Sequence, residues 1–160
     1  MPIEVGQKVP DVKLKAAARD GIRDVSTREL FAGKRSVLFG VPGAFTPTCS
    51  ARHLPGFVEK AAELRAKGID QLVCVSVNDA FVMEAWGRER APGGEVLLLA
   101  DGNAAFTEAL GLGLDATGFG MGRRCQRFAA LVEDGVVTRL RVEQPGKFEV
   151  SSADAILGEL

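Results

Sequence analysis

Apolar residues in this chain fall into short unbroken runs, separated by stretches in which apolar positions recur at helical spacing. Three runs, residues 36–41, 71–77 and 96–101, are typical of strands buried on both faces of a sheet. Helical spacing predicts one helix through the apolar positions from Leu54 to Leu64 and another over residues 80–90. Strands that alternate with helices in this way predict an α/β fold with parallel strands.

Turn and capping signals predict the remaining elements. Asp134-Gly135 is the strongest hairpin signal and joins two strands within residues 123–143. Asp20-Gly21 likewise marks a tight turn between two short extended pieces. Short helices are expected between Ser26 and Gly33, around residues 106–110, and from Ser152 to the end of the chain. We therefore expect a central sheet that mixes parallel and antiparallel strands, with helices on both faces.

Composition narrows the classes of function. The 160 residues suit one domain, residues 1–160, and 20 basic against 21 acidic side chains leave a net charge of −1. This balance gives no electrostatic basis for binding nucleic acid or an anionic membrane. The N-terminus does not resemble a signal peptide, and no apolar stretch approaches the roughly 20 residues that span a bilayer. Three cysteines, an odd number, indicate a reducing, cytoplasmic location.

The sequence lacks the residue patterns of several common metal, redox and nucleotide-binding sites. The three cysteines and the sole histidine, His53, match no zinc or iron–sulfur spacing, so we expect no metal and no cofactor. No Cys-x-x-Cys motif is present. We interpret His53 as a partly exposed helix residue, although it would neighbour Cys49 on one helix. The glycine-rich residues 118–122 lack the spacing of a nucleotide-binding loop and are interpreted as an ordinary loop.

The segment VPGAFTPTCS, residues 41–50, contains the residue pattern most suggestive of chemistry. If Thr46 caps a helix and Pro47 takes its first position, Cys49 lies in the first turn. The unpaired amides and the dipole of a helix start favour an anion there, and hence a thiolate. The alternative is that Thr46 is only a helix cap and Cys49 an inert buried thiol.

Thiolate formation alone would accelerate a reaction little. Lowering a thiol pKa from about 8.5 to about 6 raises the thiolate fraction at pH 7 roughly 30-fold, but lower nucleophilicity takes back about tenfold. Groups that stabilise the transition state are therefore needed. Candidates are the first-turn amides, the Thr46 hydroxyl and a cation from the arginine-rich stretch Arg123, Arg124 and Arg127.

The segment PGAFTPTC fits the Pro-x-x-x-Thr-x-x-Cys signature of peroxiredoxins, and residues 39–57 resemble the type II (type 5) branch of that family. The resemblance continues through VSVNDAFVMEAWG, LLADG, RRCQRFAALVEDG and FEVSSADAIL, and so covers essentially the whole chain. It implies a thioredoxin-like fold and the reduction of hydrogen peroxide and alkyl hydroperoxides by thiols, as antioxidant defence. A peroxide sensor that relays oxidation to client proteins is the alternative, and a non-enzymatic binding module is a third.

The same resemblance implies roles for individual residues. Cys49 would be the peroxidatic cysteine, Thr46 would bind the peroxide through a hydrogen bond, and Pro42 would shield the site from water. Arg127, rather than Arg123 or Arg124, matches the catalytic arginine of the family. The backbone amides of Gly43 and Cys49 are further expected donors.

The thiol that resets Cys49 is left open by the sequence. Cys74 matches a second cysteine found in many members, but it lies in a predicted buried strand, which favours its interpretation as a small core residue. Glutathione with glutaredoxin, or thioredoxin, are the external reductants that the resemblance implies. Cys125 is interpreted as a packing residue. The resemblance also implies a homodimer, with Phe45, Phe81 and Trp86 as candidate contact residues.

Overall fold

The computed structural model describes residues 1–160, which form a seven-stranded sheet with helices on both faces. In chain order the elements are β1 (Lys13–Ala18), β2 (Gly21–Ser26), α1 (Thr27–Phe31), β3 (Arg35–Gly40), α2 (Leu54–Ala66), β4 (Gln71–Ser76), α3 (Ala80–Arg90), β5 (Leu97–Ala100), α4 (Ala105–Leu110), β6 (Gly113–Asp115), β7 (Arg123–Cys125), β8 (Phe128–Glu133), β9 (Val136–Val142) and α5 (Ala153–Leu157). The strand order of the seven-stranded sheet is β2-β1-β5-β4-β3-β8-β9.

The sheet is mixed, as the sequence predicts. The three apolar runs form β3, β4 and β5, which pair in parallel at its centre. Antiparallel partners lie on either side, β1 against β5 and β8 against β3. The two predicted turns join β1 to β2 and β8 to β9 as antiparallel hairpins. The carboxyl ends of the parallel strands therefore meet at one edge of the sheet, where ligand sites in such folds are found.

Side chains that alternate along β3 enter two separate cores, which explains the unbroken apolar run. Val37 and Phe39 pack on the face covered by α2, α3 and α5. Leu38 packs on the opposite face with residues of α1 and α4. A strand buried on both faces has no solvent-facing side that would call for a polar residue.

The predicted capping residues begin their helices. The Ser26 hydroxyl accepts from the Glu29 amide at 3.5 Å, and the Ser152 hydroxyl accepts from the Ala155 amide at 3.1 Å. Asp79 caps α3 in the same manner through the Val82 amide, at 2.9 Å. Each side chain satisfies one of the backbone donors that a helix start leaves unpaired.

Residues 123–133 are not the one continuous strand that the sequence suggests. Arg123–Cys125 pairs with Gly113–Asp115 in a separate two-stranded sheet, and β8 of the main sheet starts only at Phe128. The Gln126 amide donates to the Leu112 carbonyl at 2.8 Å, which holds the chain on the small sheet up to the break. Arg127 lies in this break, between the two sheets.

The helix that carries Cys49 begins at Pro47, but its second turn is wider than an α-helical turn. Residues Cys49–His53 form a π-helical turn, in which the Leu54 amide donates to the Cys49 carbonyl. The α-helical α2 starts only after it, with Pro55 in its first turn. Such a π-bulge is a feature common at functional sites. None of the helices has both the length and the apolar character needed to cross a membrane.

Candidate active site

The loop between β3 and the Cys49 helix is held by the end of the neighbouring strand. The Asn78 side-chain oxygen, just beyond β4, accepts from the Ala44 amide at 3.0 Å and from the Ser76 hydroxyl at 2.6 Å. The Arg124 guanidinium donates to the Val77 carbonyl at 2.9 Å and lies beside Gly43. Phe45 takes a left-handed backbone conformation, with φ of 64°. The carboxyl edge of the sheet thus fixes the loop's path.

Thr46 directly precedes the helix, at the N-cap position that the sequence predicts, but its hydroxyl does not cap the helix. The Thr46 carbonyl accepts from the Ser50 amide at 2.9 Å, which closes the first turn. The hydroxyl donates to the Gly43 carbonyl at 2.6 Å. Because its proton is committed to that carbonyl, the Thr46 oxygen is left to accept a hydrogen bond from another molecule.

Four backbone amides of the segment have no acceptor within the protein, those of Gly43, Phe45, Thr48 and Cys49. Two of them, Gly43 and Cys49, are the donors that the resemblance implies. The Cys49 amide is free because the first turn of a helix has no preceding carbonyls to pair with. Both amides are thus available to donate to a bound oxygen.

Cys49 is fully buried, and a charged side chain from the break between the two sheets contacts its sulfur. Arg127 Nη2 lies 3.1 Å from Cys49 Sγ. Arg127 Nη1 lies 2.9 Å from Nδ1 of His53, on the same helix as the cysteine. The guanidinium fork therefore connects two side chains that lie one turn apart.

His53 is buried, and our expectation of a partly exposed helix residue is wrong. Its side chain has no exposed surface, and Nε2 lies 2.9 Å from the Ser151 carbonyl. Since arginine only donates, Nδ1 must accept, and the proton lies on Nε2, which donates to Ser151. Burial, together with the positive charge of Arg127, lowers the pKa of His53 to about 3. His53 is therefore a neutral acceptor for Arg127 across the physiological range.

A segment between β9 and α5 covers this helix face; we call it the strap, residues 144–152. The Phe148 ring packs edge-on against the His53 ring, with ring centroids 5.0 Å apart. Two arginines flank the Phe148 ring, Arg52 at 4.7 Å and Arg127 at 5.7 Å from its centroid. The strap thus covers the side of His53 that would face solvent if the helix stood alone.

The strap is attached to the end of β9 by one carboxylate. Glu143 accepts from the amides of Glu149, Val150 and Ser151 at 2.8–3.0 Å and from the Ser151 hydroxyl at 2.7 Å. Burial alone would raise the pKa of Glu143, but these hydrogen bonds hold it below its usual range. The group is thus a carboxylate at neutral pH, and it fixes the Ser151 carbonyl that His53 binds.

Of the three arginines in the arginine-rich stretch, Arg127 alone contacts Cys49. Arg123 pairs with Glu108 on α4, with Nε 2.7 Å from a carboxylate oxygen. Arg124 donates to the carbonyls of Met121 and Val77 behind the loop. The choice of Arg127 that the resemblance implies therefore agrees with the geometry.

The other two cysteines are buried in the two cores, and all three thiols are unpaired. Burial raises the pKa of Cys74 well above its ordinary value, and burial raises that of Cys125 to about 12. The Cys125 thiol donates to the Gln126 carbonyl at 3.1 Å. Cys125 also packs on the sheet face opposite to that of Cys49, as the packing interpretation expects.

A surface pocket of about 750 Å³ opens beside the buried thiol. Pro42, Thr48 and Arg127 form its inner wall, and residues of the strap form another side. Phe119, which is strongly exposed, stands at its rim. A small molecule that enters the pocket therefore meets the immediate neighbours of Cys49. No group of three or more His, Cys, Asp or Glu side chains could hold a metal ion.

The candidate contact residues for a second copy divide into two kinds. Phe45 and Phe81 are exposed, as a contact surface requires. Trp86 is fully buried, and its indole N–H donates to the Ser50 hydroxyl at 2.9 Å, so its choice as a contact residue is wrong. It instead fixes the residue next to Cys49.

Sequence reasoning missed the parts of the site that come from the strap. No pattern marked Glu143, and the resemblance through FEVSSADAIL gave no role to Phe148 or Ser151. The signal that could have found His53 was its spacing of four residues from Cys49, which brings two side chains to one helix face.

Known proteins are similar to this chain over almost its whole length. Residues 4–157 match the Redoxin family model. Peroxiredoxin-2B of Arabidopsis thaliana is 51% identical over 160 residues, 99% of each chain. Peroxiredoxin-2E-2, chloroplastic, of Oryza sativa subsp. japonica is 52% identical over 163 residues, 99% of this chain and 72% of the relative.

Solved structures agree in both fold and sequence. The crystal structure of reduced Prx3 from Vibrio vulnificus in complex with H₂O₂ matches with a TM-score of 0.92 and 53% identity, and the match covers 98% of each chain. Peroxiredoxin 5 from Alvinella pompejana matches with a TM-score of 0.86 and 31% identity, over 98% of this chain and 96% of the other. The thioredoxin-like α/β fold implied by the sequence resemblance is confirmed by these neighbours.

Proposed function

The chain belongs to the peroxiredoxin family and is a thiol peroxidase, and we propose that Cys49 is the residue whose thiolate attacks the peroxide. The observation that carries this assignment is the contact of 3.1 Å between Arg127 Nη2 and Cys49 Sγ. The guanidinium places a positive charge and a hydrogen-bond donor next to the sulfur atom that would attack the peroxide. The free amide of Cys49 adds a second favourable group at the same helix start.

The proposed reaction is a displacement at oxygen. The Cys49 thiolate forms a bond to the terminal oxygen of the peroxide while the O–O bond breaks, and the electron pair leaves with the other oxygen. Sulfur is oxidised to a sulfenic acid that retains the terminal hydroxyl. The departing oxygen takes a proton from water and leaves as water from hydrogen peroxide, or as an alcohol from an alkyl hydroperoxide.

The surrounding groups are suited to binding and activating the peroxide. The Thr46 oxygen accepts the hydrogen bond of the peroxide O–H, since its own proton is committed to the Gly43 carbonyl. Arg127 and the free amides of Gly43 and Cys49 stabilise negative charge as it develops on the splitting O–O bond. Pro42, on the pocket wall, keeps water from the thiolate.

We propose that an external thiol resets the sulfenic acid, with glutathione and glutaredoxin or thioredoxin as the reductant. The burial of Cys74 and its raised pKa supports this choice over an internal disulfide, because thiolate is the form that condenses with sulfenic acid. The reductant's thiol forms a mixed disulfide with Cys49 and releases water, and a second thiol then restores Cys49.

Three further proposals concern the setting of the enzyme. The names of the plant relatives support the type II (type 5) branch. Exposed Phe45 and Phe81 support a homodimer formed through loops near the site. The three unpaired thiols support a reducing, cytoplasmic location.

The test is steady-state peroxide consumption with each reductant, by wild type and by the three Cys→Ser variants. We expect Cys49→Ser to abolish turnover, while Cys74→Ser and the matched control Cys125→Ser retain it. Turnover by Cys49→Ser would overturn the assignment, and loss of turnover with every reductant in Cys74→Ser would overturn external resetting. Fast oxidation of Cys49 without turnover by any of these reductants would favour the sensor alternative.

A further inference from the structure

The strap is joined to the catalytic arginine by a closed ring of hydrogen bonds that the proposed reaction does not itself use. The Glu143 amide donates to the Arg127 carbonyl at 2.9 Å, one step beyond the last paired residues of β8 and β9. The Glu143 carboxylate binds the strap, and the Ser151 carbonyl of the strap binds His53 Nε2. His53 Nδ1 binds Arg127 Nη1, which brings the ring back to its start.

Each link in this ring constrains the next. Imidazole has two neutral tautomers, and only the one with its proton on Nε2 can accept from Arg127 at Nδ1. The Ser151 carbonyl selects this tautomer, because a carbonyl can accept the Nε2 proton but cannot donate to a bare nitrogen. The position of the Ser151 carbonyl depends in turn on three strap amides, those of Glu149, Val150 and Ser151, which all donate to the Glu143 carboxylate.

All hydrogen bonds of the Glu143 carboxylate run to the strap, although it lines the same pocket as Arg127. An acid that instead paired with Arg127 would compete with the Cys49 thiolate for the guanidinium. With its oxygens taken by the strap, Glu143 leaves Nη2 of Arg127 to the sulfur.

We propose that Glu143 is a positioning residue for Arg127, which acts by anchoring the strap so that the Ser151 carbonyl fixes the tautomer and orientation of His53. His53 then holds one arm of the guanidinium fork, and the other arm is directed at Cys49 Sγ. The inference rests on the proposed function, since it concerns how fast Cys49 is oxidised.

The chain offers two clean probes for this proposal. Trp86 is the sole tryptophan and is hydrogen-bonded to Ser50, next to Cys49, so its fluorescence reports Cys49 oxidation in a single turnover. His53 is the sole histidine, so its imidazole ¹⁵N resonances report the tautomer without ambiguity.

Glu143→Ala should slow Cys49 oxidation by hydrogen peroxide by about tenfold to hundredfold per folded molecule, the loss that follows when a catalytic group is misplaced by about 1 Å. The His53 resonances should change from the single Nε2–H form to a mixture of tautomers. Glu143→Gln keeps one acceptor oxygen and should recover the wild-type rate to within about threefold. The matched control is Ser152→Ala, which removes the cap of α5 in the same strap and should lower stability without changing the rate constant.

A double-mutant cycle tests the route of the effect. His53→Asn loses the link to Ser151. Adding Glu143→Ala to this variant should slow Cys49 oxidation by less than about twofold relative to His53→Asn alone, because both substitutions break the same chain of contacts. An unchanged rate in Glu143→Ala, or a full additional loss in the double variant, overturns the proposal. If Glu143→Ala does not fold, Glu143→Gln combined with Ser151→Ala replaces it, with the same expected results. Failure of wild-type Cys49 to react with peroxide would instead overturn the proposed function.

Discussion

Replacing Arg127 by lysine separates the charge of the side chain from its forked shape. In wild type, Nη1 binds His53 at 2.9 Å and Nη2 binds Cys49 at 3.1 Å. Lysine keeps a positive charge but is a single point donor, so it cannot hold the imidazole and aim at the sulfur in the fixed geometry of a planar fork. Arg127→Gln removes the charge as well. Comparing the two variants with wild type therefore separates the contribution of the charge from that of the forked shape.

The expected magnitudes follow from the contact with sulfur. Removing one preorganised donor from a site where charge develops in the transition state costs about 2.7–4 kcal/mol, a factor of about 10²–10³. We expect Arg127→Gln to lose that factor in the rate constant for Cys49 oxidation, and Arg127→Lys to lose about tenfold to hundredfold. Thiolate formation alone accounts for no more than a few-fold net change, because lower basicity brings lower nucleophilicity. A larger loss therefore reports stabilisation of the transition state.

The assay measures two rates on the same protein. Stopped-flow Trp86 fluorescence gives the rate of Cys49 oxidation by peroxide. The rate of alkylation by iodoacetamide gives the reactivity of the same thiolate in a reaction that breaks no O–O bond. Oxidation should fall far more than alkylation in both Arg127 variants, while the matched control Arg123→Gln, whose wild-type side chain pairs with Glu108 on the surface, should change neither. An Arg127→Lys variant that oxidises within about threefold of wild type would refute the argument from fork geometry.

Two further predictions concern stability, and urea denaturation checks both. Since the pKa of His53 is lowered to about 3, the unfolded chain takes up a proton that the folded chain excludes, so the free energy of unfolding should fall as pH is lowered from about 6.5 towards 3, by up to about 1.4 kcal/mol per pH unit. His53→Asn should reduce this slope, and an unchanged slope would contradict the burial of a neutral imidazole. Gly40→Ala should destabilise by about 1–3 kcal/mol, because the new methyl group meets the Phe128 ring and lies 3.0 Å from the Cys125 sulfur. Gly56→Ala, in α2 with no atom within 4 Å of the new methyl group, should stabilise by about 0.5–1 kcal/mol, and the opposite order of the two would refute the packing argument.

Elements that depend on local signals could be predicted from the sequence. The helix over residues 80–90 coincides with α3, since its apolar spacing is a local feature. The strands over 36–41, 71–77 and 96–101 differ from β3, β4 and β5 only at their ends. The position of Cys49 in the first turn followed from Thr46 and Pro47 in the same way. These choices agree with the fold because the tertiary contacts reinforce them.

Features that depend on distant segments could not be predicted in this way. His53 is buried because the strap, almost 100 residues further along the chain, covers its helix face. The strand through residues 123–133 breaks because residues 123–125 find a partner in residues 113–115. Both contacts are between segments with no shared periodicity. The amphipathic pattern of one segment does not say which other segment will cover it.

The Cys49 helix has few backbone hydrogen bonds at two successive points. The first turn lacks preceding carbonyls, and in the next turn Pro55 has no N–H to offer a carbonyl. The free energy of opening this stretch should therefore lie well below that of global unfolding, and its amide protons should exchange with solvent early. A peroxide needs only a small opening between the pocket and the sulfur, whereas a protein thiol needs a larger fluctuation that exposes the fully buried Cys49. Oxidation and reduction of one sulfur atom are in this way separated by the size of the reactant.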